Sequence, residues 1–351
     1  MRQLRWDVGA IFLVWCGLSS MAIAADPAPT REFEIRNDRA YLGGQPVKLW
    51  GIRCGNALHS EAITQRHIVN FDNMVAQGIN LIGVYIQGSN AGWPDPNAAL
   101  NGFTRYGKLK PEVAERLERL IREADKPGMV VMVGLFTPRK DQEFYDDGAI
   151  KLAIEEAAGF LTSRGLKNVF IDVMHEFSHE ERIDKEIFRE PDGAAKKEKL
   201  TKWFKAVAPD IEVGVCPDAD SGTGDTYPGM DVRIIQKDMP IPKTGYVVNV
   251  EMLRQDVYQN DGVFGEAGIA AVFRDCEAYK AADNSAFMFH SAFVQGITNF
   301  SGSAPHAEMG GSGLKTTDRG VRFYYEWVRD NVGRYEYPRH LPVSGRNAGS
   351  N

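Results

Sequence analysis

The sequence predicts an α/β protein folded as a single (β/α)8 TIM barrel with a short N-terminal β-hairpin. Three observations carry this. Eight short apolar runs recur at 47–52, 79–86, 129–136, 168–174, 211–215, 231–236, 246–250 and 286–290; runs of strand length that are nearly continuous in apolar character belong to strands covered on both faces. Amphipathic stretches at 63–77, 111–126, 149–164, 194–207, 267–282 and 317–332 separate several of them, which calls for parallel strands joined by right-handed helical crossovers. Eight such units in roughly 290 residues is the size of this barrel. An open doubly wound sheet is the main competitor. It would be favoured by a Gly-x-Gly-x-x-Gly turn after an early strand, and Gly51-Ile52-Arg53-Cys54-Gly55 does not provide one.

Taken in order, the chain begins with Arg2 and Arg5, an apolar run at 8–18 and small residues at Ala22-Ile23-Ala24 before Ala25-Asp26. That is the layout of a secretory signal peptide over residues 1–25. The run is too short to span a bilayer comfortably, and no later stretch approaches ~18 uncharged apolar residues. The expected mature product is therefore secreted or periplasmic, with no membrane partner after signal cleavage. Cys16 follows Trp15, a poor fit to a lipid-anchored cysteine. Next, Glu32-Phe33-Glu34-Ile35-Arg36 alternates with period two, and Tyr41 to Val47 reads as a hairpin entrance to a strand. The barrel domain is expected over 31–339, with Gly310-Gly311-Ser312-Gly313 forming a loop before the last helix and 340–351 a loose tail. No composition shift or repeat marks an internal boundary.

Composition narrows the partners. Of 351 residues, 43% are apolar, 10% aromatic and 25% charged, the profile of a packed globular protein rather than a disordered or disulfide-dense one. With 41 basic and 47 acidic residues the net charge is −6, which gives no electrostatic reason to expect nucleic acid or an anionic surface. A neutral partner suits this balance. Cys54, Cys216 and Cys276 remain after signal removal, enough for one disulfide at most.

In such a barrel the functional residues lie just past the carboxyl ends of the strands. Two carboxylates stand there. The fourth strand, Val169-Phe170-Ile171-Asp172-Val173-Met174, runs into His175-Glu176; the seventh, Tyr246-Val247-Val248-Asn249-Val250, runs into Glu251. Glycoside hydrolysis needs two carboxyl groups flanking the scissile bond, one to protonate the departing oxygen and one to attack the anomeric carbon. That chemistry needs no cofactor and no metal.

A resemblance follows from these residues together with Gly-Gly-Gln-Pro-Val-Lys-Leu-Trp-Gly-Ile at 43–52, Ala-Gln-Gly-Ile-Asn-Leu-Ile at 76–82 and Lys-Pro-Gly-Met-Val-Val-Met-Val-Gly-Leu-Phe at 126–136. The chain resembles clan A glycoside hydrolases, the family-five cellulase-like superfamily, over about residues 33–332. The resemblance implies Glu176 as acid/base, Glu251 as nucleophile, a poly- or oligosaccharide substrate cleaved at O-glycosidic bonds, and retention of anomeric configuration. It also implies a tyrosine near the nucleophile, for which Tyr227 is the candidate. Two departures stand out. His175 occupies the place where the clan usually has Asn, and Val84-Tyr85 stand where an Arg usually leaves the second strand. His175 is then expected to hydrogen-bond a sugar hydroxyl, and Arg53, after the first strand, to supply the cation near the nucleophile.

Other candidates have a functional and a structural reading. Trp93 and Tyr106, in the long loop after the second strand, offer faces on which a sugar ring stacks, or else anchor that loop. His290, at the exit of the eighth strand, lines the pocket or is a hydrogen-bonded core histidine. Asp218, Asp220, Gln236 and Glu308 are weaker pocket candidates. The rival reading is zinc hydrolysis: His175-Glu176-Phe177-Ser178-His179 fits H-E-x-x-H, which on a helix places two imidazoles on one face. Its residues sit at a strand exit, and the extended form with a Gly and a third His is absent. A non-catalytic carbohydrate-binding barrel is the remaining alternative.

Overall fold

The period-two stretch near the start of the domain becomes a three-stranded antiparallel sheet of β1 (Phe33–Arg36), β2 (Arg39–Leu42) and β3 (Gln45–Pro46). Asn37 and Asp38, with φ of 51° and 60°, make the two-residue turn between β1 and β2. A turn with both central residues left-handed matches strand twist, and Asn and Asp tolerate it. The structure, a computed structural model, describes residues 27–88, 100–218, 229–237, 239–251, 264–290 and 321–338. The expected signal peptide and the expected C-terminal tail lie outside these residues.

All eight apolar runs form parallel strands of one sheet: β4 (Trp50–Arg53), β5 (Leu81–Tyr85), β6 (Val130–Phe136), β7 (Val169–Met174), β8 (Glu212–Gly214), β9 (Val232–Ile235), β10 (Tyr246–Asn249) and β11 (Ser285–Phe289). The order is β8-β7-β6-β5-β4-β11-β10-β9, so the sheet curls until its first and last strands meet. The seam is held by Asp231. Its backbone N–H donates to Val213 O at 2.9 Å, and its Oδ2 accepts from Val213 N–H at 3.1 Å. The fold is a TIM barrel with a small N-terminal sheet.

Alternation along each strand sorts the side chains into two cores. Ile82 and Val84 of β5, Val131, Val133 and Leu135 of β6, and Val169, Ile171 and Val173 of β7 face the helices. Leu81 and Tyr85, Val130 and Met132, and Phe170 face the barrel interior, where Phe33, Leu42, Val47 and Leu49 of the N-terminal segment close the bottom. The interior positions nearest the carboxyl ends are then Arg53, Tyr85, Asp172 and Cys216, all buried. An apolar plug below and a polar layer above follow from the period of two. Gly134 makes room in that layer, since a Cβ there would run into the Tyr85 ring.

The helices that cover the sheet are α1 (Glu61–Ile68), α2 (Phe71–Ala76), α3 (Pro111–Asp125), α4 (Asp147–Ser163), α5 (Gly193–Lys205), α6 (Glu266–Ala281) and α7 (Arg322–Asn331). The single helix expected over 63–77 is two. Asn70 N–H donates to His67 O, three residues back, instead of continuing the four-residue ladder, and a tightened turn of this kind divides a helix. Cys54, Cys216 and Cys276 are buried free thiols. Among the described residues no helix is long and apolar enough to cross a membrane.

Candidate active site

Arg53, the last residue of β4, organises the mouth of the barrel. Its guanidinium is almost fully buried and has only donors to give. Nη1 donates to Glu251 Oε2 at 2.8 Å and to His175 Nε2 at 2.7 Å, while Nη2 donates to His290 Nε2 at 2.7 Å. Three strand exits, those of β7, β10 and β11, are thereby tied to a fourth. Because Arg53 can only donate, an imidazole beside it must be neutral at Nε2 to accept. His290 suits that role, since burial and the adjacent Arg53 charge hold it well below the usual histidine range.

Glu251 lies one residue beyond Val250 and is 8% exposed. Burial alone would favour its neutral form. The Arg53 guanidinium beside it outweighs burial and holds the carboxyl well below its ordinary value. Its backbone is fixed on both sides, with Glu251 N–H donating to Asn249 Oδ1 at 3.1 Å and Lys237 N–H bonding to Glu251 O. Asn249 is itself held by donating to Tyr279 Oη at 2.9 Å.

Glu176 approaches from β7. One ligand atom from each of His175, Glu176 and Glu251 lies within 4.8 Å of the others, so a carboxylate oxygen of Glu176 comes no farther than that from one of Glu251. Arg182 Nη1 reaches Glu176 Oε2 at 3.3 Å. Glu176 has φ of 54°, and Arg139 and Lys237, after β6 and β9, are also left-handed at 67° and 51°. Non-glycine residues held there cost about 1–3 kcal/mol each and gather where surrounding structure serves a function. Here they gather at strand exits.

Beneath this pair a second network orients His175. Asp172 Oδ2 accepts from Tyr85 Oη at 3.1 Å and its Oδ1 from Cys216 N–H at 3.0 Å; Oδ2 also lies 3.8 Å from His175 Nδ1. The Tyr85 ring meets the His175 ring edge-on, with centroids 5.5 Å apart. Burial and Asp172 push the Tyr85 hydroxyl well above the usual range, which keeps it a donor. Tyr85, Asp172, Cys216 and Arg182 were not among the sequence candidates. Asp172 had a signal of its own, as the lone charge within an apolar strand; Arg182 had none, because it returns through a loop.

The remaining candidates separate. Gln236 gives its amide to Pro217 O at 2.6 Å and ties the exits of β8 and β9. Asp218 is buried beside Phe177, whose carbonyl accepts from Asp218 N–H at 3.0 Å. Tyr106 is 59% exposed, with its ring against that of Tyr145. Trp93, Asp220, Tyr227 and Glu308 lie outside the described residues.

Segment 175–179 is not helical. Phe177 bridges to Pro217, and Ser178 N–H donates to Phe188 O at 2.8 Å, so His175 and His179 do not share a helical face. Among the described residues two groups could offer three metal donors, Asp172 with His175 and Cys216, and His175 with Glu176 and Glu251; His179 belongs to neither. In the second group the Arg53 guanidinium already sits on His175 Nε2 and Glu251 Oε2.

No protein-family model matches the chain, and no curated protein matches its sequence. Solved structures do match the fold. The chain is similar to a glycoside hydrolase family 5 structure from Bacteroides vulgatus, at 10% identity and a TM-score of 0.54, over 81% of this chain and 68% of that one. It is similar to a β-1,4-D-mannanase from Cryptopygus antarcticus at 12% identity and a TM-score of 0.51, covering 88% and 98%. An exo-β-1,4-mannosidase from an Opitutaceae bacterium gives 13% identity, a TM-score of 0.51 and coverage of 85% and 62%. The barrel is that of solved glycoside hydrolases. At these identities the likeness concerns the fold.

Proposed function

We propose that the chain is a glycoside hydrolase that cleaves O-glycosidic bonds in a poly- or oligosaccharide by a retaining, two-glutamate mechanism. The observation that carries the reading is the pair Glu176 and Glu251, at the exits of the fourth and seventh barrel strands, with carboxylate oxygens within 4.8 Å. Retaining enzymes hold the two groups about 5–5.5 Å apart, whereas inverting enzymes leave about 6.5–9.5 Å for a water. The fold shared with family-five hydrolases supports the same reading.

The residues divide the work. Glu251, kept ionised by Arg53, attacks the anomeric carbon while Glu176 gives its proton to the departing oxygen. Glu176 then takes a proton from the water that hydrolyses the glycosyl-enzyme. His175, between Asp172 and Arg53, stands beside both carboxylates; its ring nitrogens face these neighbours, so it positions the pair rather than offering a free nitrogen to a sugar hydroxyl. The reading includes export through the N-terminal segment and a neutral glycan as substrate.

The test is a pair of variants on a panel of aryl glycosides and β-linked glycans. Glu251→Gln is expected to remove turnover by ~10⁴-fold or more in a protein that still folds, with a melting temperature lowered because the buried Arg53 charge loses its partner. Glu176→Ala is expected to keep activity on substrates with good leaving groups and to recover rate with azide, because only proton delivery is lost. Full activity of either variant would overturn the assignment.

A further inference from the structure

The exposed apolar surface is sparse, and its distribution is informative. Among the described residues the large hydrophobic side chains that stand out into solvent are Val69, Tyr106 and Tyr145, at 59%, 59% and 61% exposure. The two tyrosines come from different loops and meet, with ring centroids 5.8 Å apart at an interplanar angle of 47°. Arg105 places its guanidinium 5.4 Å from both ring centroids. An exposed cation–π contact is worth only about 0.5–1 kcal/mol, a small return for leaving two aromatic rings in water.

The backbone holds the pair in register. Tyr106 sits at the tip of a narrow hairpin closed by the Phe103–Leu109 bridge and by Thr104 N–H donating to Lys108 O at 2.8 Å. Gly107, with φ of 88°, lets that tip lie against the first turns of α4, where a Cβ would strike the Ala149 carbonyl. Tyr145 N–H donates to Arg105 O at 2.8 Å, which locks the second loop onto the first. The rings are thus mounted on fixed backbone rather than on a loose loop.

Their position ties them to the candidate active site. The loops follow β5 and β6 and so emerge on the face where Glu176 and Glu251 lie. Tyr145 O accepts from Lys185 Nζ at 3.4 Å, Asp141 Oδ2 accepts from the backbone N–H groups of Asp184 and Lys185 at 2.7 Å each, and Arg182, three residues earlier, reaches Glu176. Segment 176–185 therefore runs from the proton donor to the aromatic pair.

We propose that Tyr106, Tyr145 and Arg105 form an outlying binding platform for pyranose rings of a glycan chain that extends beyond the cleavage site. The inference rests on the glycosidase reading and deepens it, since it makes a polymer rather than a short glycoside the substrate. The apolar faces of pyranose rings pack on exposed tyrosine rings, and the phenol and guanidinium groups meet the equatorial hydroxyls.

The experiment compares the wild-type protein with Tyr106→Ala/Tyr145→Ala and with Tyr106→Leu/Tyr145→Leu, which keeps bulk but removes the aromatic faces. Mobility is read in native gels containing galactomannan, xylan or hydroxyethylcellulose, and kinetics are read on the polymer that retards the wild type and on a short aryl glycoside. The expected result is retardation of the wild type in at least one gel, its loss in both double variants, and an increase of about tenfold in KM for that polymer with kcat and aryl-glycoside turnover within twofold. Equal mobility of the three proteins, or a wild type that no gel retards, overturns the platform. Retardation that needs both tyrosines, in a protein that hydrolyses no glycan, supports the platform and overturns the glycosidase reading.

Discussion

Replacing Arg53 with Met removes one positive charge and three hydrogen bonds from a site that water barely enters. Arg53 is 3% exposed and Glu251 8%, and their contact is 2.8 Å. Taking away one partner of a buried ion pair costs about 3–5 kcal/mol because the other charge is left without compensation. With an unfolding entropy of about 2.1 cal/mol/K per residue, a domain of about 310 residues shifts by ~1.5 °C per kcal/mol, so the fall is roughly 5–8 °C in melting temperature at pH 8. The pH dependence has a definite sign. Glu251 is held below its ordinary value in the folded protein, so the pair stabilises fully above the unfolded carboxylate pKa of about 4.3 and is lost as pH falls through the lower folded value. The gap between wild type and Arg53→Met is therefore largest near neutrality and narrows in acid. Without Arg53, burial raises the Glu251 pKa, and the acidic limb of kcat/KM moves to higher pH. Arg53→Lys keeps the charge but not the planar fork that serves three acceptors, and is expected to fall between the two. Melting curves and pH–rate profiles from pH 4 to 8.5 measure both effects. A variant that melts within 1 °C of the wild type at pH 8 with an unmoved acidic limb would refute this reasoning.

Three further outcomes follow from neighbouring residues. Asp172→Asn puts an amide where Tyr85 Oη and Cys216 N–H both donate, so His175 loses its lower support; kcat is expected to drop about tenfold with little change in KM, and equal loss in both would count against a positioning role. Gly134→Ala drives a methyl group into the Tyr85 ring and is expected to cost about 1–3 kcal/mol by overpacking, measured by urea unfolding; a neutral change would mean that Tyr85 is free to move. Glu212, raised to about 7 by burial and by Asp231 despite accepting from Ile35 N–H, favours the fold below the unfolded carboxylate pKa and loses that contribution as pH rises through about 7. Glu212→Gln stays neutral, so its melting temperature is expected to gain on the wild type between pH 5 and 8.5, and a constant difference across that range would contradict the buried-carboxyl account.

The barrel was legible because its signal is repeated. Eight apolar runs with helices between them leave few alternatives, and each of the strands formed where its run lies. The strand exits then pointed to Glu176, Glu251, Arg53, His175 and His290; the fold joins the last four by hydrogen bonds through Arg53 and brings Glu176 within 4.8 Å of His175 and Glu251. What sequence did not disclose depends on geometry that no local pattern encodes. Asn70 divides a helix through a single three-residue hydrogen bond, and Arg182 reaches Glu176 only because segment 176–185 turns back on the mouth. The Tyr106–Tyr145 pair depends on two loops, forty residues apart, being sewn together by one backbone hydrogen bond. Tyr85 was noticed as the residue standing where an Arg was expected, but its bond to Asp172 follows from both side chains pointing inward at adjacent levels of the barrel, a matter of shear rather than of sequence spacing.

The most direct test of the two-glutamate mechanism is peptide-mapped mass spectrometry of the enzyme after exposure to activated 2-deoxy-2-fluoro glycosides of the gluco, manno, galacto and xylo series. The account expects a covalent glycosyl adduct on the peptide that carries Glu251. An adduct on any other residue, or an adduct-free enzyme that releases product of inverted configuration, would contradict it.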